Sequence, residues 1–185
     1  KKEEVKGTIA NVREMNNGKD IMFHNNVNLS SRDSQTDTNL IQYFSWIGRP
    51  EIDKQRYSDL FFCNCNLGYR KDTYSGNMTR NILTNDSLEI KRLIDIIKPD
   101  NIISLGLDTS VVVIRTLIDE HFNGSTLTEL IGDGKPYRYG DTNIYPMAHP
   151  EYWGTMNRGI ENVKKDWTRM QDEWIEKELV RAKEN

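Results

Sequence analysis

Three kinds of side chain in this sequence could do chemistry where they stand. His149 closes the apolar run "NIYPMA" and is followed at once by Pro150. An imidazole can donate or accept a proton near neutral pH, and the proline restricts the backbone that carries it. Asn64 and Asn66 end a second apolar run, "DLFFCN". A carboxamide donates and accepts at once, so it can read the edge of a planar partner. Arg158, preceded by Asn157, ends the polar segment after the His-Pro pair and supplies a permanent cation. Each residue also has a plainer use: a ring packed at a strand end, a turn residue that stops a strand, a solvated loop arginine. The other two histidines have weaker settings, His24 in a polar stretch and His121 near a helix end, where a cation is simply favourable.

Cys63 and Cys65 are the two cysteines and lie one residue apart. Period-two geometry turns both to one face of a strand and sends Asn64 to the opposite face. Two thiols could begin a metal site, but about four ligands are needed and no second Cys/His cluster supplies them. Buried thiols are therefore expected, with neither a disulfide framework nor a metal, and no cofactor is implied.

The elements that must position these groups follow from periodicity. "TDTNLIQYFSWIG" offers Thr36 and Asp37 as caps, Leu40, Ile41, Phe44 and Ile47 at helical spacing, and Gly48 as a stop. "DLFFCNCNLGYR" has the length of a buried strand, and "KDTYSGNMTRN" is a loop. "NDSLEIKRLIDIIKPD" predicts a helix with Ile90, Leu93, Ile94 and Ile97 on one face, stopped before Pro99. "NIISLG" reads as a second strand and "DTSVVVIRTLIDEHFNG" as a helix closed by Asn123-Gly124. "DTNIYPMAHP" is a third strand, and after a loop Ile160, Val163, Trp167, Met170 and Trp174 mark a long amphipathic helix whose tryptophans face the core. Residues 1–36 read as loops around a short element. Strands alternating with helices imply an α/β fold with a mostly parallel sheet covered on both faces, its function at the carboxyl ends of the strands.

The bulk numbers fit one domain spanning 1–185. The chain has 185 residues, 36% of them hydrophobic, enough for one core. A net charge of −3 and a pI near 5.7 exclude a polybasic binder, so any nucleic-acid contact must be local. No apolar run approaches the ~20 residues that span a bilayer, and the opening "KKEEVKGTIA" lacks a signal-peptide core. A cytoplasmic monomer without membrane contact is expected.

The strand ends "CNCNLGYR", "LGLDTS" and "AHPEYWG", in this order, resemble the uracil-DNA glycosylase superfamily over roughly residues 36–165. "LFFCN" is similar to the family strand whose terminal asparagine reads the extruded base, and "IKPDNIISLGLDTSVVV" to its middle segment. "HPEYWGTMNRG" is similar to its His-Pro loop, which in some branches ends in Asn, a basic residue and Gly. The resemblance implies a three-layer α/β/α sandwich around a central four-stranded sheet, and a DNA glycosylase that flips out uracil or a related base. It then hydrolyses the N-glycosidic bond without a metal. It implies His149 as the catalytic donor to the base carbonyl, Asn64 and Asn66 as base-binding residues, and Pro150, Asn157 and Arg158 as DNA-binding residues. Two departures stand beside it. Glu151 occupies the place where the family has Ser. The family's first, water-activating motif has only a distant counterpart in "REMNNG", residues 13–18, and is expected upstream of Lys1. A non-catalytic relative that uses the same cleft to bind nucleic acid, a nucleotide or a protein is the alternative.

Overall fold

The computed structural model describes residues 35–50, 52, 60–65 and 79–184, with side chains as far as Asp172. Seven helices and three strands run in the order α1 (Gln35–Trp46), α2 (Arg80–Thr84), α3 (Ser87–Ile97), β1 (Asn101–Leu105), α4 (Leu107–Leu117), α5 (Leu127–Ile131), β2 (Tyr137–Tyr139), β3 (Thr142–Met147), α6 (Tyr152–Arg158) and α7 (Ile160–Glu184) among the described residues. None of these helices is long and apolar enough to cross a membrane.

The predicted periodicities become these helices for ordinary reasons. In α1 the spacing of three and four puts Leu40, Tyr43, Phe44 and Ile47 on one buried stripe. It begins at Gln35, so the expected caps Thr36 and Asp37 fall inside its first turn. α3 stops because Lys98 turns into the left-handed region (φ 50°) and Pro99 cannot continue the helix. α4 buries Val111, Val112, Val113 and Ile114 in succession, as a helix does when it is sunk against a sheet. It ends at Leu117 rather than at Asn123-Gly124. The residues beyond fold back, with Phe122 N–H donating to the Asp119 carbonyl and the Phe122 ring packing edge-on against Tyr137.

Among the described residues the sheet has three strands in the order β1-β3-β2. β1 and β3 are parallel, pairing Ile103 with Tyr145 and Leu105 with Met147, and β2 joins β3 antiparallel, pairing Tyr137 with Ile144. The sheet is therefore mixed. β2, at three residues, is too short to show a period, and its Tyr-Arg-Tyr alternation and following Gly140-Asp141 turn are its hairpin signal. Leu60–Cys65, where "DLFFCN" predicts a strand, is not one of the strands of the described sheet. Leu60 and Phe62 pack partly buried against the core while Phe61, Cys63 and Asn64 are exposed, so this apolar run is covered on one side only.

Side-chain alternation sorts the core into two faces. Ile103, Leu105, Tyr145 and Met147 pack with Leu40, Tyr43 and Phe44 of α1 and with Val163, Trp167 and Met170 of α7. Ile102 and Ile144 pack with Val113 and Leu117 of α4. Helices thus cover both faces of the sheet. Trp167 is completely buried, against Tyr43 at 5.5 Å and Phe44 at 5.1 Å between ring centroids, which bears out its core role.

Candidate functional site around His149

β3 is buried along its whole length and delivers Ala148 and then His149 at its carboxyl end. β1 ends beside it. Gly106 N–H donates to the Met147 carbonyl (2.8 Å), extending the parallel pairing by one bond beyond β1 and tying the two strand ends together. Gly106 takes φ +94°, ψ 158°, a conformation essentially restricted to glycine, and turns the chain directly into α4. A Cβ built at this glycine would lie 3.6 Å from His149 Cβ, so the amino terminus of α4 and the imidazole share one corner of the sheet.

His149 is half-buried. Burial pushes its imidazole below the usual range near 6.5, and the Glu151 carboxylate opposes this with a smaller upward effect. The Glu151 backbone N–H donates to His149 Nδ1 at 3.2 Å. An Nδ1 that accepts a hydrogen bond carries no proton, so the neutral ring holds its proton on Nε2. The site therefore presents a neutral imidazole with a donor on Nε2.

The residues after His149 form a tight corner. Pro150 is fully buried, and its carbonyl accepts from Asn39 Nδ2 of α1 (2.8 Å). The same Nδ2 donates to Thr155 Oγ1 (3.1 Å), Tyr43 Oη lies 2.7 Å from that oxygen, and Thr155 Oγ1 donates to the Glu151 carbonyl (2.9 Å). Where the sequence suggested a loop, residues Tyr152–Arg158 form α6. Gly154 makes this possible: a Cβ there would sit 2.3 Å from the His149 carbonyl oxygen. The helix can close over the His-Pro backbone only because the side chain is absent. Its outer face leaves Tyr152, Trp153 and Met156 exposed, with the two aromatic rings edge to face at 5.2 Å.

The other predicted site residues divide. Asn157 is exposed on α6. Arg158 does not extend into solvent: Nε and Nη2 grip Asp166 of α7 in a two-pronged ion pair (2.8 and 3.0 Å), and Nη1 donates to Thr128 (3.1 Å). Asp166 is buried, with 2% of its side chain exposed, so this pair fastens α6 to α7. Pro150 is thus enclosed within the corner, and Arg158 neutralises a buried carboxylate. Asn64 is exposed in the Leu60–Cys65 segment, and no hydrogen bond joins it to His149 among the described residues. Asn66, His24 and the "REMNNG" stretch lie outside the described residues. His121 is exposed, 3.5 Å from Glu120.

Cys63 and Cys65 are free thiols, the first exposed and the second partly buried, which corrects the expectation that both are buried. The Cys65 thiol is pushed up to about 11 by burial, then by Cys63 and Asp86. Among the described residues no group of His, Cys, Asp and Glu is placed to hold a metal ion.

What sequence reasoning missed is the support: Asn39, Tyr43, Thr155, Gly106 and Gly154. Only Gly106, directly after a strand, carried a visible signal. Compared with known proteins, the chain matches no family model, no curated protein and no solved structure.

Proposed function

We propose that the chain is a metal-independent DNA glycosylase of the uracil-DNA glycosylase type. The observation that carries the reading is the state of His149: a neutral, half-buried imidazole at a strand's carboxyl end, its Nδ1 occupied by the Glu151 N–H and its Nε2–H available. Breaking an N-glycosidic bond leaves negative charge on the departing base. A preorganised neutral donor aimed at the base carbonyl stabilises that charge as it develops. The amino terminus of α4, which follows Gly106 beside the ring, adds the positive end of a helix dipole to the same corner.

In this reading the target base leaves the stack and is read on its pairing edge by Asn64 and Asn66. The reading also implies a three-layer α/β/α sandwich with a fourth strand beyond the three described, and Asn157 on the exposed side of α6 faces the DNA. The protein acts as a monomer in the cytoplasm. Base excision from uracil-, hypoxanthine- and modified-pyrimidine-containing oligonucleotides, single-stranded and duplex, tests it. The wild type is expected to release one of these bases, and His149→Ala to do so ~10²–10³-fold more slowly with binding retained. Absence of release from every substrate ends the reading.

A second reading, a non-catalytic binder using the same corner, is favoured by two observations. Glu151 puts a carboxylate beside the His-Pro pair, and Arg158 is committed to Asp166. Oligonucleotide binding without release of any base, unchanged in His149→Ala, is the outcome that selects it.

A further inference from the structure

We infer that Asn39, Tyr43 and Thr155 are positioning residues for His149, a hydrogen-bond relay from α1 that fixes the direction of the imidazole. The inference rests on the geometry of a single peptide group. The N–H that holds His149 Nδ1 belongs to Glu151, and the carbonyl on the other side of that same peptide bond belongs to Pro150. A peptide unit is planar, so an anchor on its oxygen also sets the direction of its N–H. Asn39 Nδ2 is that anchor, at 2.8 Å. Drawing density onto the carbonyl oxygen also makes the opposite N–H a better donor to the ring.

The proton inventory leaves the relay one arrangement. Thr155 Oγ1 has one proton, which goes to the Glu151 carbonyl, so it must accept from both Asn39 Nδ2 and Tyr43 Oη. Burial raises the Tyr43 phenol and keeps it protonated, as a donor must be. Asn39 spends both Nδ2 protons on Pro150 and Thr155, while its Oδ1 accepts from Gln35 Nε2 (2.9 Å). Asn39, Tyr43 and Thr155 are all buried. No member of the relay can rotate without stranding a buried polar group, which costs about 1–3 kcal/mol. The carbonyls of Pro150 and Glu151 are thereby held on both sides of the N–H that grips the ring.

Positioning in this sense rests on the reading of His149 as the reacting side chain, but a spectroscopic test does not. Nitrogen NMR of the labelled imidazole reports which ring nitrogen carries the proton and where the ring titrates, with or without any activity. In the wild type the proton is expected on Nε2. Thr155→Val and Asn39→Ala are expected to mix the two neutral forms and to raise the midpoint by roughly half a pH unit or more as the ring loosens toward solvent. Thr155→Ser, which keeps the hydroxyl, should restore both. Tyr43→Phe removes one oxygen and keeps the packed ring, so it carries the test should Asn39→Ala not fold. The charged neighbour recorded at the ring, Glu151, is unchanged in all four variants. If base release is found, the loosened variants should lose kcat by about tenfold with KM unchanged. A ring spectrum identical to wild type in folded Thr155→Val and Tyr43→Phe overturns the inference. A shifted spectrum in a protein that releases no base upholds the relay and ends the glycosylase reading instead.

Discussion

At the scale of single residues, the two functional candidates of the His-Pro segment, a histidine at a strand end and a loop arginine, meet opposite fates. His149 is held neutral by burial. Because its folded value lies below 6.5, the unfolded chain binds the extra proton between the two values. The resulting stability is fully present above pH 6.5 and is lost as pH falls through the folded value. Melting temperature followed from pH 8 to pH 5 should decline through this window, and the decline should flatten in His149→Gln. An equal slope in both proteins would locate the dependence elsewhere. Arg158 answers to a different physics. Its removal leaves Asp166 charged and buried, so Arg158→Ala should cost about 3–5 kcal/mol in denaturant unfolding. Asp166→Asn paired with Arg158→Ala should recover part of this. A loss near zero in the single variant would return Arg158 to the solvated role that the sequence allowed. The sequence exposed an arginine before a glycine; its partner eight positions on sits on another helix, and nothing in the spacing says that the two meet.

At the scale of elements, the corner from β3 into α6 depends on a glycine that the sequence made look like a helix breaker. "EYWGTMNRG" reads as a loop because Gly154 interrupts it and the segment is polar. The structure uses that same glycine for close approach, the missing Cβ leaving room for the His149 carbonyl 2.3 Å from where it would stand. The contact is with backbone, which cannot swing aside, so Gly154→Ala should push α6 off the corner. It is expected to lower stability by roughly 1–3 kcal/mol and to shift the His149 ring signals. A stable Ala variant with an unmoved ring would show that α6 can retreat without cost. The elements predicted best are α1, α3 and α7, whose apolar residues repeat with a helical period, and β1 and β3, apolar runs of strand length. Those predicted worst lack a clear period. β2 is too short to show a period, and the run at Leu60–Cys65 is apolar enough for a buried strand yet is half exposed.

At the scale of the whole molecule, the sheet's two strand ends and the helices on both faces were legible as an α/β alternation, because that pattern is written locally. The relay that braces the site was not. Asn39 sits on the polar-to-apolar boundary of a helix and looks like a surface amide. It becomes a buried anchor only because α1 is laid against the His-Pro corner from 111 positions away. This long reach sets the order in which the molecule can be assembled. β1, α4, β2 and β3 lie within one stretch of the chain and can pair early, whereas the loop joining Asn39 to Pro150 spans 111 positions and closes at greater entropic cost. The corner that holds His149 is therefore completed when α1 docks and undone when it lifts, so the readiness of the site and the closure of the chain are a single event.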